Sequence, residues 1–344
     1  MDRVVGTAYA RAGLLGNPSD GYGGKAMAIC LSDFRAQVYL ETDAGLPVRG
    51  SLARESVVRI LLGLEDDFSA ADREDGSCLL KAALHRFSQV LPDQVKRDRQ
   101  NPLFQFSLRF ETDIPRQVGL AGSSAIVIAG LRALDEWFAT GVSQQAIASL
   151  ALAAETEDLK IAAGPMDRIV QAHEGMVVMD LARPGDLSSH HSMDAECLPA
   201  LFLVWDPQGG QPSDEAHQDL KRRWQRGDPD VKLAVEAFRD LVDEGVRLLE
   251  GRNFDGFRDA MDRNFDLREK IFHVGERDRE MVALARRYGA GAKLCGSGGA
   301  VIGLPRSESD FTFLERKYLE AGYRFLRPHV RKPGLETNSG MEEA

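Results

Sequence analysis

A loop rich in glycine and serine, "VGLAGSSA" (118–125), stands directly before a long apolar run and is the first candidate for chemistry. The N–H groups at the start of a helix lack partners and carry partial positive charge. Glycines such as Gly119 and Gly122 let backbone approach an anion closely, and a neighbouring hydroxyl can bind Mg²⁺. The loop therefore fits a phosphate cradle. A turn capped by serine has the same composition, so that alternative stays open.

Two carboxylates downstream suit phosphoryl transfer, which needs charge neutralisation and an oriented nucleophile. At about 100° per residue, Glu155 shares a face with apolar residues, whereas Glu157 lies on another face. A carboxylate among apolar neighbours needs a cation, which favours Glu155 over Glu157 as a Mg²⁺ ligand. An ordinary surface acid is the alternative for Glu155. Asp167 follows Pro165, which suits a first helical turn, so Asp167 is either a catalytic base or a helix-capping charge.

The formal charge of −10 disfavours nucleic acid as the main partner. The four cysteines form no CxxC pair, and neither a signal-peptide pattern nor a long apolar run is visible, so we expect a reduced, cytoplasmic protein with no membrane contact. An anionic substrate would need a local cation, preferably a bidentate arginine. Four candidates stand near the polar motifs: Lys25, Arg116, Arg263 and Arg268.

The order of elements predicts an α+β protein, with mixed sheets and packed helices, rather than alternating βαβ units. "KAMAICL" and "FRAQVYLE" are expected to be separate strands, and residues 66–76 an acidic loop. We expect an N-terminal lobe over 1–183, a C-terminal lobe over 184–328 and a disordered tail over 329–344. The main helices are predicted at 77–91, 123–138, 143–160, 213–226, 230–250, 254–272, 276–288 and 307–321.

Three motifs in chain order carry a family resemblance: "RAGLLGNPSDGYGG" (11–24), "PRQVGLAGSSA" (115–125) and "KLCGSGGAVIGL" (293–304). Together they resemble the galactokinase, homoserine kinase, mevalonate kinase and phosphomevalonate kinase superfamily. The second motif departs from the commonest form by one extra residue between Leu120 and Ser123. The resemblance implies a two-lobed fold with the active site between the lobes, and ATP and Mg²⁺ as cofactors. It assigns ATP to Gly119, Leu120, Ala121, Gly122, Ser123, Ser124, Gly296, Ser297 and Gly298.

The same resemblance implies the remaining roles. Asp167 matches the catalytic aspartate with Arg11 flanking it, and Ser124 shares the metal with Glu155. The sugar site is expected to include Asn17, Ser19, Asp20, Lys25, Arg116 and Asn264. On its own, "NPSDG" is also good turn chemistry, and Asn264 fits equally well as a helix-surface amide.

Further stretches, including "IPRQVGLAGSSAIV" and "MDRNFDLREKIF", resemble the glucuronokinase family, over roughly residues 8–328. That resemblance implies phosphorylation of a free sugar acid, D-glucuronate, at C1 by ATP. One alternative is a kinase of the same superfamily for galacturonate, galactose or a heptose phosphate. Another is a catalytically silent regulator that binds a sugar or a nucleotide.

Overall fold

The computed structural model describes residues 2–42, 50–65, 75–97, 101–183, 187–209 and 214–334. Most of the predicted acidic loop, residues 66–74, lies outside these ranges, and so do residues 335–344 of the predicted tail. The described chain forms two antiparallel sheets with helices packed against them.

The first sheet has six strands built around one long central strand. The strands are β1 (Arg3–Leu15), β2 (Lys25–Glu41), β3 (Ser51–Leu52), β4 (Ser107–Thr112), β5 (Met176–Asp180) and β6 (His190–Met193). One edge of β2 pairs with β1 over almost its whole length, and the other edge pairs with β4 and β5. Beyond them, β3 pairs with β4 and β6 with β5.

The two strands predicted for "KAMAICL" and "FRAQVYLE" are a single strand in the structure. The register passes from Ala10 opposite Leu31 to Tyr9 opposite Arg35, so residues 32–34 form a bulge instead of a turn. A bulge keeps both halves in the same sheet, which is why polar residues at this point do not end the strand.

The helices of the first half are α1 (Arg54–Leu61), α2 (Ser77–Ser88), α3 (Asp93–Arg97), α4 (Gly122–Phe138), α5 (Gln144–Ala153) and α6 (Met166–His173). Of these, α1, α2, α4 and α6 contact the sheet, and α5 packs on other helices. Helix α4 is the central one, with a buried face running from Ser124 to Trp137. It lies directly on β1 at Gly6. A Cβ added to this glycine would fall only 2.6 Å from the backbone nitrogen of Ala133, so no larger residue fits there. This contact holds the middle of α4 against the central strands.

The second sheet, in the order β10-β7-β9-β8, closes the fold. Its strands are β7 (Phe202–Trp205), β8 (Gly291–Leu294), β9 (Ala300–Leu304) and β10 (Arg324–Leu326). The helices of this half are α7 (Asp214–Gln225), α8 (Pro229–Glu250), α9 (Phe254–Ile271), α10 (Glu276–Arg287) and α11 (Glu308–Glu320). Helix α9 packs on both α8 and β8, and α8 and α9 also reach β1, so the two halves share one interface.

The expected division near residue 183 falls within the first sheet. Strand β6 lies beyond that point and still pairs with β5, and the second sheet begins only at Phe202. The predicted tail also begins later than residue 329. Val330 bridges Leu31, and Arg331 donates its backbone N–H to Cys30 O, so residues 329–331 are held along β2.

Within the described ranges, the helices are all too short or too polar to span a bilayer. All four cysteines are free thiols, and three of them are buried.

Candidate active site

The two glycine-rich loops predicted for ATP lie against each other. Gly119 has a φ of 70°, and a Cβ added there would lie 2.8 Å from Gly298 O and 2.9 Å from Ser297 N. The loop before α4 and the loop between β8 and β9 therefore meet with no room for a side chain. Segments separated by more than 170 residues in the sequence form one backbone surface.

Helix α4 begins without a side-chain cap. Its N-cap residue is Ala121, in the left-handed conformation with a φ of 63°, while Ser123 and Ser124 lie inside the first turn. The N–H groups of that turn have no intrahelical acceptor, and no serine is placed before them to accept their hydrogen bonds. The turn capped by serine, one of the two sequence hypotheses, is therefore absent. An uncapped helix start is suited to an anion.

Of the two serines, Ser123 is the one beside Glu155. Its exposed hydroxyl donates to Glu155 Oε1 over 2.8 Å. Ser124 is fully buried, and its hydroxyl donates backwards to Ala121 O over 3.2 Å. The predicted pairing of Ser124 with Glu155 is thus not seen. One residue of helix turns a side chain by about 100°, which directs Ser124 into the core and Ser123 to the surface.

Glu155 lies in a five-residue π-helical turn, Ala154–Asp158, that follows α5. It is fully buried, whereas Glu157 is exposed and pairs with Arg86, as the helical spacing predicts. Glu155 Oε2 accepts two hydrogen bonds from Arg168, one of them from Nε over 2.6 Å. π-Turns of this kind are frequent at functional sites.

The residues here fit a magnesium ion in part. Ser123 Oγ and Glu155 Oε1 are the hard oxygen donors that Mg²⁺ prefers, and Mg²⁺ usually binds to few protein groups together with water and substrate phosphates. The other carboxylate oxygen is engaged by Arg168. Among the described residues, no cluster of three or more histidine, cysteine or acidic side chains could enclose a metal by itself.

Arg11 connects the candidate base to both glycine loops. Its Nε donates to Asp167 Oδ1 over 2.6 Å, and its Nη1 donates to Gly119 O over 2.6 Å and to Cys295 O over 3.2 Å. Asp167 stands in the first turn of α6 with about a fifth of its side chain exposed. The guanidinium therefore holds a solvent-reachable carboxylate next to the surface formed by the two loops.

A second carboxylate, Asp20, shares this space. Its Oδ2 faces Gly164 and accepts from Met166 N over 3.4 Å, at the start of the same helix α6. Burial and the nearby charge of Asp167 raise the pKa of Asp20 to about 6. Burial, with the charge of Asp20, also raises the pKa of Tyr22 to about 12. Asp20 thus lies at the predicted sugar end and titrates close to neutral pH.

Three other residues predicted to contact the sugar are buried at this turn: Asn17 and Ser19 belong to it, and Asn264 reaches it from α9. Asn264 accepts from Gly16 N over 2.7 Å and donates to Asn17 O over 3.3 Å. Ser19 donates to Lys25 O over 3.2 Å. Asn264 and Ser19 therefore support the turn in this structure, while Asn17 keeps a buried Oδ1 without a partner.

The four candidate cations differ in their surroundings. Lys25 is neutralised by Asp243, 2.7 Å away, and Arg263 is half exposed and pairs with Glu244. Arg116 is exposed on the loop before Gly119. Arg268 is buried on α9, and its Nη2 donates to Ser297 O over 3.0 Å.

Sequence reasoning missed three charged residues of this region. Arg168 holds Glu155, and its position directly after Asp167 was the available signal. Asp278 accepts from Gly299 N over 2.7 Å, and Lys293 donates to Gly13 O over 2.7 Å. Burial lowers the pKa of Lys293 to about 7. Asp278 carries no local sequence signal, and Lys293 opens the third motif, which does not reveal that its ammonium group reaches Gly13.

The whole chain has the fold of small-molecule kinases. The crystal structure of Methanococcus jannaschii mevalonate kinase superposes with a TM-score of 0.69 at 17% identity, covering 95% of this chain and 98% of that one. Models described as "GHMP kinases N terminal domain" and "GHMP kinases C terminal" match residues 79–175 and 238–324. The chain belongs to the GHMP kinase family, and the α+β kinase fold predicted from the sequence is confirmed.

Two curated relatives narrow the class to sugar kinases. "Glucuronokinase 1" of Arabidopsis thaliana is 33% identical over 352 residues, which cover 97% of this chain and 94% of that protein. "Probable glucuronokinase 2" of the same plant is 32% identical over 335 residues, which cover 92% and 88%. These two matches confirm the predicted resemblance to the glucuronokinases and the predicted sugar-kinase activity.

Proposed function

We propose that this protein transfers the γ-phosphoryl group of ATP to the C1 hydroxyl of D-glucuronate, giving glucuronate 1-phosphate and ADP. The observation that carries the proposal is the bridge made by Arg11 between Asp167 and the two glycine loops. It puts a carboxylate beside the surface where phosphates would bind. The substrate follows from the names of the two Arabidopsis relatives.

In this proposal, Asp167 receives the proton of the C1 hydroxyl. The hydroxyl oxygen forms a bond to the γ-phosphorus while the bond from that phosphorus to the β–γ bridging oxygen breaks, and ADP leaves. Arg11 fixes the carboxylate by a 2.6 Å hydrogen bond and keeps it from turning away. Positioning of this kind supplies most of the catalysis in phosphoryl transfer.

The uncapped start of α4 and the glycine loop after β8 bind the phosphates through backbone N–H groups. Ser123 and Glu155 would hold Mg²⁺, which would neutralise charge on the phosphates. Arg168 holds Glu155 in place through the oxygen that faces away from Ser123. The sugar lies towards the turn that contains Asp20 and Asn17, where one carboxylate and one unpartnered amide oxygen are available for hydroxyl groups.

The test is ADP release at saturating ATP and Mg²⁺ with glucuronate, galacturonate, glucose, galactose and a heptose 7-phosphate under one condition. The proposal predicts the highest kcat/KM for glucuronate. A higher value for another sugar would assign that sugar instead. Binding of ATP or sugar without turnover of any panel member would favour the silent regulator. Asp167→Asn serves as the enzyme blank, since contaminating kinases would be unaffected by it.

A further inference from the structure

Arg268 is a buried guanidinium that forms no direct ion pair with any described residue. Only 2% of the residue is exposed. Its Nε is buried without a hydrogen-bond partner, and its Nη2 donates to Ser297 O. The guanidinium carbon lies 4.4 Å from the centre of the Phe272 ring, so the side chain is clamped between a ring and a loop.

Burying an unpaired charge is unfavourable, and most buried arginines are paired with an acid. Here burial lowers the pKa of Arg268 to about 10, even though the charges of Asp278 and Asp20 act against the shift. Asp278 uses Oδ1 to accept from Gly299 N, and Asp20 faces α6. The guanidinium therefore retains free hydrogen-bond donors in a fixed position, which is the arrangement expected of an anion-binding site.

Arg268 lies where the glycine loop after β8 meets the first motif. Its hydrogen bond is to Ser297 O, and the charges that act on it are Asp278, beside that loop, and then Asp20 and Arg11 of the first motif. The phosphates already have the backbone surface of the two glycine loops. Of the other candidate cations, Lys25 and Arg263 are neutralised by acids, and Arg116 is exposed. Arg268 is the one of the four that is both buried and free of an acid.

We infer that Arg268 is the residue that recognises the carboxylate of the sugar acid, and so determines specificity for a uronate over a neutral sugar. The inference rests on the proposed function for the substrate class. A carboxylate completes the hydrogen bonding of the guanidinium, whereas a sugar with a C6 hydroxyl leaves it unpaired. Sites built around a buried polar partner reject substrates that lack the matching group.

The experiment compares D-glucuronate with D-glucuronamide, which has nearly the same shape and no charge, and with D-glucose. We measure kcat/KM for each sugar, and KM for ATP, in the wild type and in Arg268→Gln and Arg268→Lys. The wild type should prefer glucuronate to glucuronamide by about 100-fold or more. Arg268→Gln should bring that ratio close to one, mainly through KM for glucuronate, and change KM for ATP by less than about threefold.

Arg268→Lys keeps a charge but loses the planar fork, so the ratio should fall by about tenfold even if Arg268→Gln does not fold. Lys270→Gln removes one exposed positive charge from the same helix and should leave the ratio unchanged. A ratio in both Arg268 variants equal to that of the wild type would overturn the inference. So would an increase of KM for ATP with the sugar ratio preserved, because it would make the ligand a phosphate. Equal kcat/KM for glucuronate and glucuronamide in the wild type would also overturn the inference, whereas a wild type that turns over glucose as well as glucuronate would overturn the proposed function.

Discussion

The Nε of Arg11, on β1, donates to Oδ1 of Asp167, at the start of α6, over 2.6 Å, although the two residues are 156 positions apart. The same guanidinium also donates to a carbonyl of each glycine loop. One side chain therefore sets the distance between the candidate base and the candidate phosphate surface. Any loosening of Arg11 should affect catalysis before it affects nucleotide binding.

Asp167→Asn should lower kcat by about 10²–10⁴-fold, because an amide cannot accept the proton of the sugar hydroxyl. Affinity for ATP, measured by calorimetry, should stay within a few-fold of the wild type. Asp230→Asn, an exposed carboxylate on α8, is the matched control and should keep full activity. A nearly normal kcat in Asp167→Asn would remove this residue from the mechanism.

Ser123→Ala and Ser124→Ala should show which serine contributes to metal binding and which to the stability of the fold. Ser123→Ala removes the hydroxyl that contacts Glu155, so the Mg²⁺ concentration for half-maximal activity should rise by about tenfold. Ser124→Ala loses a buried hydrogen bond and should lower the free energy of unfolding by about 1 kcal/mol, with little change in the Mg²⁺ requirement. Magnesium titration and urea unfolding give both values. The reverse ranking would restore Ser124 as the ligand.

Glu155→Gln should also raise the Mg²⁺ requirement more than Glu157→Gln does. Glu155→Gln removes the buried acid that Arg168 contacts most closely and leaves it Asp167 at 3.6 Å, so it should destabilise the fold by about 3 kcal/mol as well. Glu157 is exposed, and its ion pair with Arg86 is worth little. A Mg²⁺ titration in which Glu157→Gln has the larger effect would contradict the assignment of Glu155.

Gly119→Ala should weaken ATP binding by separating the two glycine loops. The added Cβ would lie 2.8 Å from Gly298 O, and the backbone would have to move to relieve this clash. Gly141→Ala is a matched control: Gly141 has nearly the same φ, 68° against 70°, with no atom within 4 Å of the added Cβ. Both variants should lose about 1–2 kcal/mol through strain at positive φ. Equal ATP affinity in the two variants would make the loop contact purely structural.

Asp20→Asn should change how stability depends on pH. The pKa of Asp20 is raised from 3.8 to about 6 in the folded protein, so the neutral carboxyl favours the fold. This contribution is fully present below the unfolded pKa and is lost as the pH rises through the folded pKa. The free energy of unfolding of Asp20→Asn, minus that of the wild type, should therefore increase between about pH 4 and pH 7. A difference that stays flat across this range would show that Asp20 is not desolvated.

The sequence predicts best what depends on local pattern. The periodicity of residues 122–138 and 229–250 gives two long helices within a residue or so of their observed ends. Helical spacing puts Glu155 and Glu157 on different faces, and the structure buries the first and exposes the second. The family motifs predict the positions of the two glycine loops and of the turn at Asp167, because each motif is a short segment with a defined spacing of residues.

What could not be predicted depends on partners distant in the chain. The bulge at residues 32–34 is held by hydrogen bonds between Ser32 or Asp33 and His329, and no local sequence pattern reveals this distant partner. The resemblance gives the metal to Ser124, but which serine contacts Glu155 depends on how two distant segments pack, and in the structure Ser123 makes that contact. The sequence allows Asn264 either a substrate contact or a structural role, and in the structure it holds the backbone of Gly16 across the interface between the two halves.

Phosphorylation of glucuronate at C1 is tested by identifying the product formed from D-glucuronate and ATP by phosphorus and proton NMR. We expect a single new phosphate ester coupled to the anomeric proton, formed one for one with ADP by the wild type and abolished in Asp167→Asn. Phosphate coupled to a different ring proton, or ADP formed without any sugar phosphate, would contradict it.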